Sequence, residues 1–312
     1  NAFKDLGKLD LAIELYEKAI VIKPDFPEAF DNLVVVLKEF DQLEVAINSY
    51  QKVITANPKL AQAHHNLGLV LQLSSQNEEA IKCYEKAIAI RPNYAEAHNN
   101  IGIVYKKLGQ LKDAIKSYKK SLTINPDFAE AHNNLGNVLK ELNNLNEAAE
   151  CFNKVIAIQP NFAETHNNLG MVFSQLGKLK KAEISFMHAI KINPNYADAH
   201  SNLGMVYKEL GRVDQAISSL KKAIDLEPQY SVGHTNLCTI QYDNHDYVSA
   251  LKTITNAHTI NPKSKSIILL YKLLTSKNSN TGEINNSFLL DSYPGSRLTS
   301  DSLILNKEVE PK

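Results

Sequence analysis

The chain has 312 residues, 34 acidic and 34 basic, so its formal charge is zero, and 44% of its positions are apolar. A neutral balance gives no electrostatic reason to expect nucleic acid or an anionic membrane as partner. No apolar run approaches the ~18 residues that a membrane-spanning helix requires, and there is no secretory signal. Cys83, Cys151 and Cys238 form an odd, scattered set, which reads as reduced thiols and favours a cytoplasmic setting. The first residue is Asn1, not methionine, so the true N-terminus is expected to lie upstream.

Eight prolines, Pro24, Pro58, Pro92, Pro126, Pro160, Pro194, Pro228 and Pro262, recur every 34 residues. That period is the length of a helix–turn–helix unit that stacks into a solenoid. With proline at repeat position 32, a truncated repeat covers 1–26. Seven whole repeats follow over 27–264: 27–60, 61–94, 95–128, 129–162, 163–196, 197–230 and 231–264. The fold class expected is all-α. In repeat 129–162, Ala131, Leu135, Gly136, Val138 and Leu139 have helical spacing, and so do Ala148, Cys151, Phe152, Val155 and Ile156. Two helices this short are marginal alone and gain stability by stacking.

Each proline ends a helix, having no N–H to donate and a ring that clashes with the preceding turn. Asp25, Asn93, Asp127, Asn161 and Asn195 follow, with Glu28, Glu96, Glu130, Glu164 and Asp198 three residues later. This spacing predicts capping boxes. Ala12, Ala46, Ala80, Ala114, Ala148, Ala182, Ala216 and Ala250 share position 20, and Gly68, Gly102, Gly136, Gly170 and Gly204 share position 8. The two columns are expected to face each other where helices touch. Gly7, Gly109, Gly177 and Gly211 mark a turn that needs a left-handed backbone.

Leu/Gly, Ala, Tyr/Phe, Ala and Pro at positions 7, 8, 20, 24, 27 and 32 resemble the tetratricopeptide repeat over residues 1–264. The resemblance implies a right-handed superhelical solenoid whose first helices line a concave groove. It implies a protein-interaction scaffold rather than an enzyme.

Position 6 is asparagine in every whole repeat: Asn32, Asn66, Asn100, Asn134, Asn168, Asn202 and Asn236. Asparagine is a mediocre helix former, so propensity does not select it. Its amide offers one acceptor and two donors, the complement of a peptide main chain. The run A-H-N-N-L-G at 131–136, with isoleucine for leucine at 97–102, is similar to the repeat arm of O-linked N-acetylglucosamine transferases and their relatives. In that family such a ladder grips the main chain of protein substrates, which implies the same role for these seven asparagines. Duplication of one ancestral unit without use of the amide is the other reading of the column.

His64, His98, His132, His166, His200 and His234 occupy position 4. Ligands one repeat apart would stand roughly 10 Å from one another, the spacing of packed helices, against the ~2 Å bonds of zinc. No metal is expected there, and packing between helices is. Position 2 is mainly acidic and position 6 always asparagine, which does not fit the carboxylate clamp that some members of the repeat family build from Lys and Arg.

After Pro262 the repeat fails. Residues 265–274 read as a closing helix, apolar nearly all round, which would need a cover. Residues 275–287 read as a linker, and 288–312 as the start of a further, truncated domain with a strand near 302–309. The sequence carries no Gly-rich phosphate loop, no H-x-D pair and no nucleophile elbow, so no cofactor and no catalytic residue are expected. Two functions stand: a free adaptor for extended peptide segments, or the substrate-recruiting arm of a larger enzyme. That enzyme would be a glycosyltransferase, a 2-oxoglutarate oxygenase or a sulfotransferase with its catalytic domain beyond residue 312.

Overall fold

A computed structural model describes residues 43–278, together with positions 15, 16, 18, 19, 22 and 32. Among the described residues there are fourteen α-helices and no strand. They are α1 (Leu43–Ala56), α2 (Ala61–Leu73), α3 (Asn77–Ile90), α4 (Ala95–Lys107), α5 (Leu111–Ile124), α6 (Ala129–Glu141) and α7 (Leu145–Ile158). These are followed by α8 (Ala163–Gln175), α9 (Leu179–Ile192), α10 (Ala197–Glu209), α11 (Val213–Leu226), α12 (Ser231–Asp243), α13 (Tyr247–Ile260) and α14 (Lys265–Asn278). The partial repeat 1–26 and the first half of repeat 27–60, those six positions aside, lie outside the described residues, as do 279–312 with the expected strand.

The chain divides into two compact units, Asn1–Asn144 and Leu145–Lys312. Within the first, each helix packs on the next from α1 to α6; within the second the same holds from α7 to α14. First helices of adjacent repeats also touch directly, α2 with α4 and α4 with α6 in one unit, α8 with α10 and α10 with α12 in the other. First helices therefore share one continuous face in each unit.

The packing rests on one recurring contact. Position 24 is large and fully buried: Tyr50, Tyr84, Tyr118, Phe152, Phe186, Leu220 and Ile254. In four repeats its side chain lies on the glycine of position 8. A Cβ at Gly68 would come within 2.6 Å of Tyr84, one at Gly102 within 2.6 Å of Tyr118, and one at Gly170 within 2.7 Å of Phe186. The described glycines thus face position 24, three of them a ring and Gly204 the Leu220 side chain, and at Gly204 the position-20 backbone (Ala216 O, 3.1 Å) also closes in. The alanines of position 20 from Ala46 to Ala250 are themselves fully buried. Each ring contributes about 1.5–3 kcal/mol of apolar burial.

Among the described residues the expected capping boxes do not form, and the one at Asp25 and Glu28 lies outside them. Helices α4, α6, α8, α10 and α12 begin one residue later, at position 1. Their N-caps are Tyr94, Phe128, Phe162, Tyr196 and Tyr230, none with a side-chain cap bond. The Pro-Asx pair is spent in the preceding turn, where Asn125 Oδ1 accepts from the Asp127 amide (3.2 Å) and Asn193 Oδ1 from that of Asn195 (3.1 Å). The acids of position 2 then stand in the first helical turn, favourable to the helix dipole. Asp246 is the one described N-cap that caps with its side chain, onto the Ser249 amide at 3.1 Å.

The histidine column locks these turns. His64, His132, His166, His200 and His234 each place Nε2 2.8–3.0 Å from the carbonyl of the repeat proline six residues earlier. A carbonyl only accepts, so Nε2 carries the proton. Among the described residues no group of side chains could hold a metal ion. His98 stands in the same place beside Pro92, with its Nε2 buried. Burial first, and then the Lys120 charge, hold its imidazole below the usual histidine range.

The closing helix runs Lys265–Asn278, past the 265–274 expected. It turns Ile267, Leu270 and Leu274 onto Cys238, Tyr242, Ile254 and Ala257, while Lys265, Leu269 and Lys272 face outward. Two lysines on the outer side show that it meets water more comfortably than its composition suggests.

Two predictions follow from local chemistry. The helix-to-helix turn is left-handed in every described repeat. Gly109, Gly177 and Gly211 adopt it at φ 68–73°, but Ser75, Asn143 and His245 adopt it with side chains at 60–61°. Ser75→Gly should gain about 1 kcal/mol in urea unfolding, and Asn143→Gly less, because asparagine tolerates this region. The depressed pKa of His98 means that the unfolded chain binds the proton first, near ~6.5. Its contribution is intact above that pH and lost as pH falls through the folded-state value. His98→Gln should therefore flatten the dependence of the urea midpoint on pH below neutrality.

Candidate functional site

In each unit the first helices carry their position-6 asparagines on the shared face. Asn32 is helical and half-buried; Asn66, Asn168 and Asn202 are buried; Asn100, Asn134 and Asn236 are half-buried. The column is engaged between repeats. Asn100 Nδ2 lies 2.9 Å from His65 Nε2, Asn134 Nδ2 donates to Asn99 Oδ1 at 3.1 Å, and Asn202 Nδ2 donates to Asn167 Oδ1 at 3.0 Å. Asn236 Nδ2 reaches Ser201 Oγ at 3.4 Å. Asn66 Oδ1 accepts from Gln62 Nε2 and His65 Nδ1, both at 3.1 Å.

The pattern recurs at four of the described asparagines: the amides of Asn100, Asn134, Asn202 and Asn236 donate to position 5 of the repeat before, 35 residues away, whereas Asn133 Oδ1, at position 5 before Asn168, is buried without a hydrogen bond. The contact exists because the first helices approach closely enough to touch. It uses one of the two N–H groups of each amide. At Asn134, Asn202 and Asn236 the oxygen and the other N–H remain for a ligand, whereas Asn66 spends its oxygen on Gln62 and His65 and its Nδ2 is buried. Asparagine at this position therefore has a stacking role of its own, which neither sequence reading of the column included.

Position 34 adds hydroxyls to the same rim. Tyr94 donates to Gln62 Oε1 at 2.6 Å and Tyr230 to Asp198 Oδ1 at 2.7 Å. Burial first, then the Asp198 and Glu164 charges, push the Tyr196 phenol up to about 12. Burial also raises the Tyr230 phenol, reinforced by Asp198. These hydroxyls stay protonated and act as donors. Leu69, Ile103, Met171 and Met205, one turn on at position 9, are half-buried and give the face an apolar strip.

Sequence reasoning places Asn133 and Ser201 of position 5 around the ladder but misses the acceptor role of that column, and misses the position-34 column altogether. The signal for the first lay in the paired asparagines of A-H-N-N-L-G. Reading it requires knowing that position 6 of one helix sits beside position 5 of the helix before it.

Charge is local rather than dominant. Glu96, Glu130, Glu164 and Asp198 are exposed at the start of first helices, and Lys208 pairs with Asp243 at 2.6 Å near their ends. Cys83 and Cys151 are partly buried and Cys238 is buried, all as free thiols. Burial pushes the thiols of Cys83 and Cys238 up, the latter to about 12, which leaves them poor nucleophiles. No described helix is long and apolar enough to cross a membrane.

A TPR repeat family model matches residues 1–39, 73–109, 104–143 and 136–177, and a tetratricopeptide repeat model matches 163–196 and 197–230, together more than half of the chain. No curated protein matches the chain. Among solved structures it is similar to YrrB, described as a TPR protein with an unusual peptide-binding site. The identity is 26% and the TM-score 0.53, over 59% of this chain and 95% of that one. It is also similar to MamA, at 28% identity and a TM-score of 0.50, over 52% of this chain and 95% of that one. The Cut9–Hcn1 hetero-tetramer of the APC/C aligns over 84% of this chain and 52% of that one, at 18% identity and a TM-score of 0.61, a likeness of fold alone. The chain belongs to the tetratricopeptide repeat family.

Proposed function

We propose that the chain is a non-catalytic interaction scaffold that holds extended peptide segments along its first-helix faces through their main chain. The observation that carries this reading is the donation to position 5 from Asn100, Asn134, Asn202 and Asn236, which leaves an acceptor and a donor of fixed orientation at Asn134, Asn202 and Asn236. A peptide main chain presents an N–H and a C=O on the same side at alternate residues and matches such a face with little demand on its side chains. The described peptide-binding character of YrrB is consistent with this use of the repeat. A cytoplasmic setting fits the free thiols.

The same face would serve a recruiting arm equally well. In that case a glycosyltransferase, 2-oxoglutarate oxygenase or sulfotransferase domain would follow residue 312, and sequencing of the native gene past that codon decides between the two forms.

The test uses an unstructured peptide of about fifteen residues rich in Ser, Thr and Val, long enough when extended to cross several repeats. Binding should survive scrambling of the peptide and vanish on N-methylation of alternate residues. The combined change Asn100→Ala, Asn134→Ala, Asn168→Ala and Asn202→Ala should weaken binding on the order of a hundredfold or more, at temperatures where helicity is unchanged. Binding that tolerates N-methylation and the fourfold variant would refute main-chain recognition.

A further inference from the structure

The column that sits behind the ladder is chemically mixed, yet four of its members share one function. His65, Asn99, Asn167 and Ser201 are 6%, 1%, 4% and 1% exposed, too buried to meet a ligand. They are an imidazole, two amides and a hydroxyl, and each places an acceptor 2.9–3.4 Å from the Nδ2 of the next ladder asparagine. Packing alone would not select three side-chain types for one shared lone pair.

Asn99 shows what the acceptor achieves. An asparagine amide is two-fold about its last torsion, so oxygen and nitrogen exchange places unless a partner distinguishes them. The Glu130 carboxylate can only accept, and Asn99 Nδ2 donates to its Oε1 at 3.0 Å. That choice turns Asn99 Oδ1 toward Asn134, whose Nδ2 donates to it at 3.1 Å. The same Asn99 Nδ2 stands 3.5 Å from Asn100 Oδ1, while Asn100 Nδ2 is held on His65 Nε2 at 2.9 Å. His65 in turn gives Nδ1–H to Asn66 Oδ1 at 3.1 Å, which fixes its tautomer. One carboxylate and one buried amide thereby set which end of two ladder amides faces outward.

We propose that Asn99 is a positioning residue for peptide recognition: it orients the amides of Asn100 and Asn134 without touching the ligand, and Asn167 does the same for Asn202. The proposal rests on the main-chain reading of the ladder, and it adds that Asn134 and Asn202 bind only when the position-5 acceptor of the preceding repeat is intact.

The test separates orientation from binding. Asn99→Leu removes the acceptor at similar volume; Asn99→Ser restores one of the kind that Ser201 supplies to Asn236. Side-chain NMR of Asn134 reads orientation directly. Its two amide protons should exchange slowly and resonate apart in the parent protein and in Asn99→Ser. They should approach free-amide behaviour in Asn99→Leu. Affinity for the Ser/Thr/Val peptide should fall about tenfold in Asn99→Leu and recover most of that loss in Asn99→Ser. Asn167→Leu, read at Asn202 in the other unit, provides the same comparison should Asn99→Leu fail to fold. An unaltered Asn134 amide in Asn99→Leu overturns the proposal, as does unaltered affinity in a variant whose amide has been released. A parent protein that ignores the peptide while its Asn134 amide responds to Asn99→Leu would overturn the main-chain reading and leave the orienting role standing.

Discussion

The rest of the structure depends on how closely two helices can approach at position 8. With a glycine there, the ring of position 24 lies directly on the backbone of the first helix, at Gly68 on Tyr84, Gly102 on Tyr118 and Gly170 on Phe186. A methyl group would stand 2.6–2.7 Å from ring carbons that are themselves fully buried. A packed core has no room to absorb such an overlap, and relief would separate the helices. The hydrogen bonds of the ladder span neighbouring first helices and require that spacing to a few tenths of an ångström. Apolar packing at the back of each repeat thus sets the precision of polar contacts at its front.

The columns also divide their labour by depth. The prolines and the histidines that donate to their carbonyls hold the turns between repeats. Buried position-5 side chains hold the ladder amides, and the half-buried amides of Asn100, Asn134 and Asn236 retain surface for a ligand. A stack of this kind is stable as the sum of its repeats and their interfaces. A bond repeated at four interfaces therefore counts several times, however modest each one is. The asparagine column serves stability and recognition with the same atoms, because an amide has more hydrogen-bonding capacity than one neighbour can consume.

Much of this was legible in the residues, where the information is periodic and apolar. Pro58 to Pro262 place the junctions, and Ala131, Leu135, Val138 and Leu139 are buried as their spacing requires. What escaped depends on which neighbour a polar group chooses. Asp127 and Glu130 have capping-box spacing, but the Asp127 amide is already taken by Asn125 and the helix starts beyond Phe128. The histidines read as packing, and the structure adds a donor for a carbonyl that the proline turn exposes. Ser75, Asn143 and His245 adopt a left-handed backbone that only the glycines of the column advertised. Asn99 and Asn167 were visible as half of a pair, and their role needs the 35-residue offset that only stacking creates.

The most direct measurement is a crystal structure of the chain with a bound unstructured peptide. The account predicts an extended chain on a first-helix face, its main-chain N–H and C=O groups within hydrogen-bond distance of the amides of Asn100 and Asn134 or of Asn202 and Asn236. The bonds from those amides to position 5 should be unbroken. A peptide seated on the second helices, or held by its side chains while the asparagines stay unengaged, would contradict it.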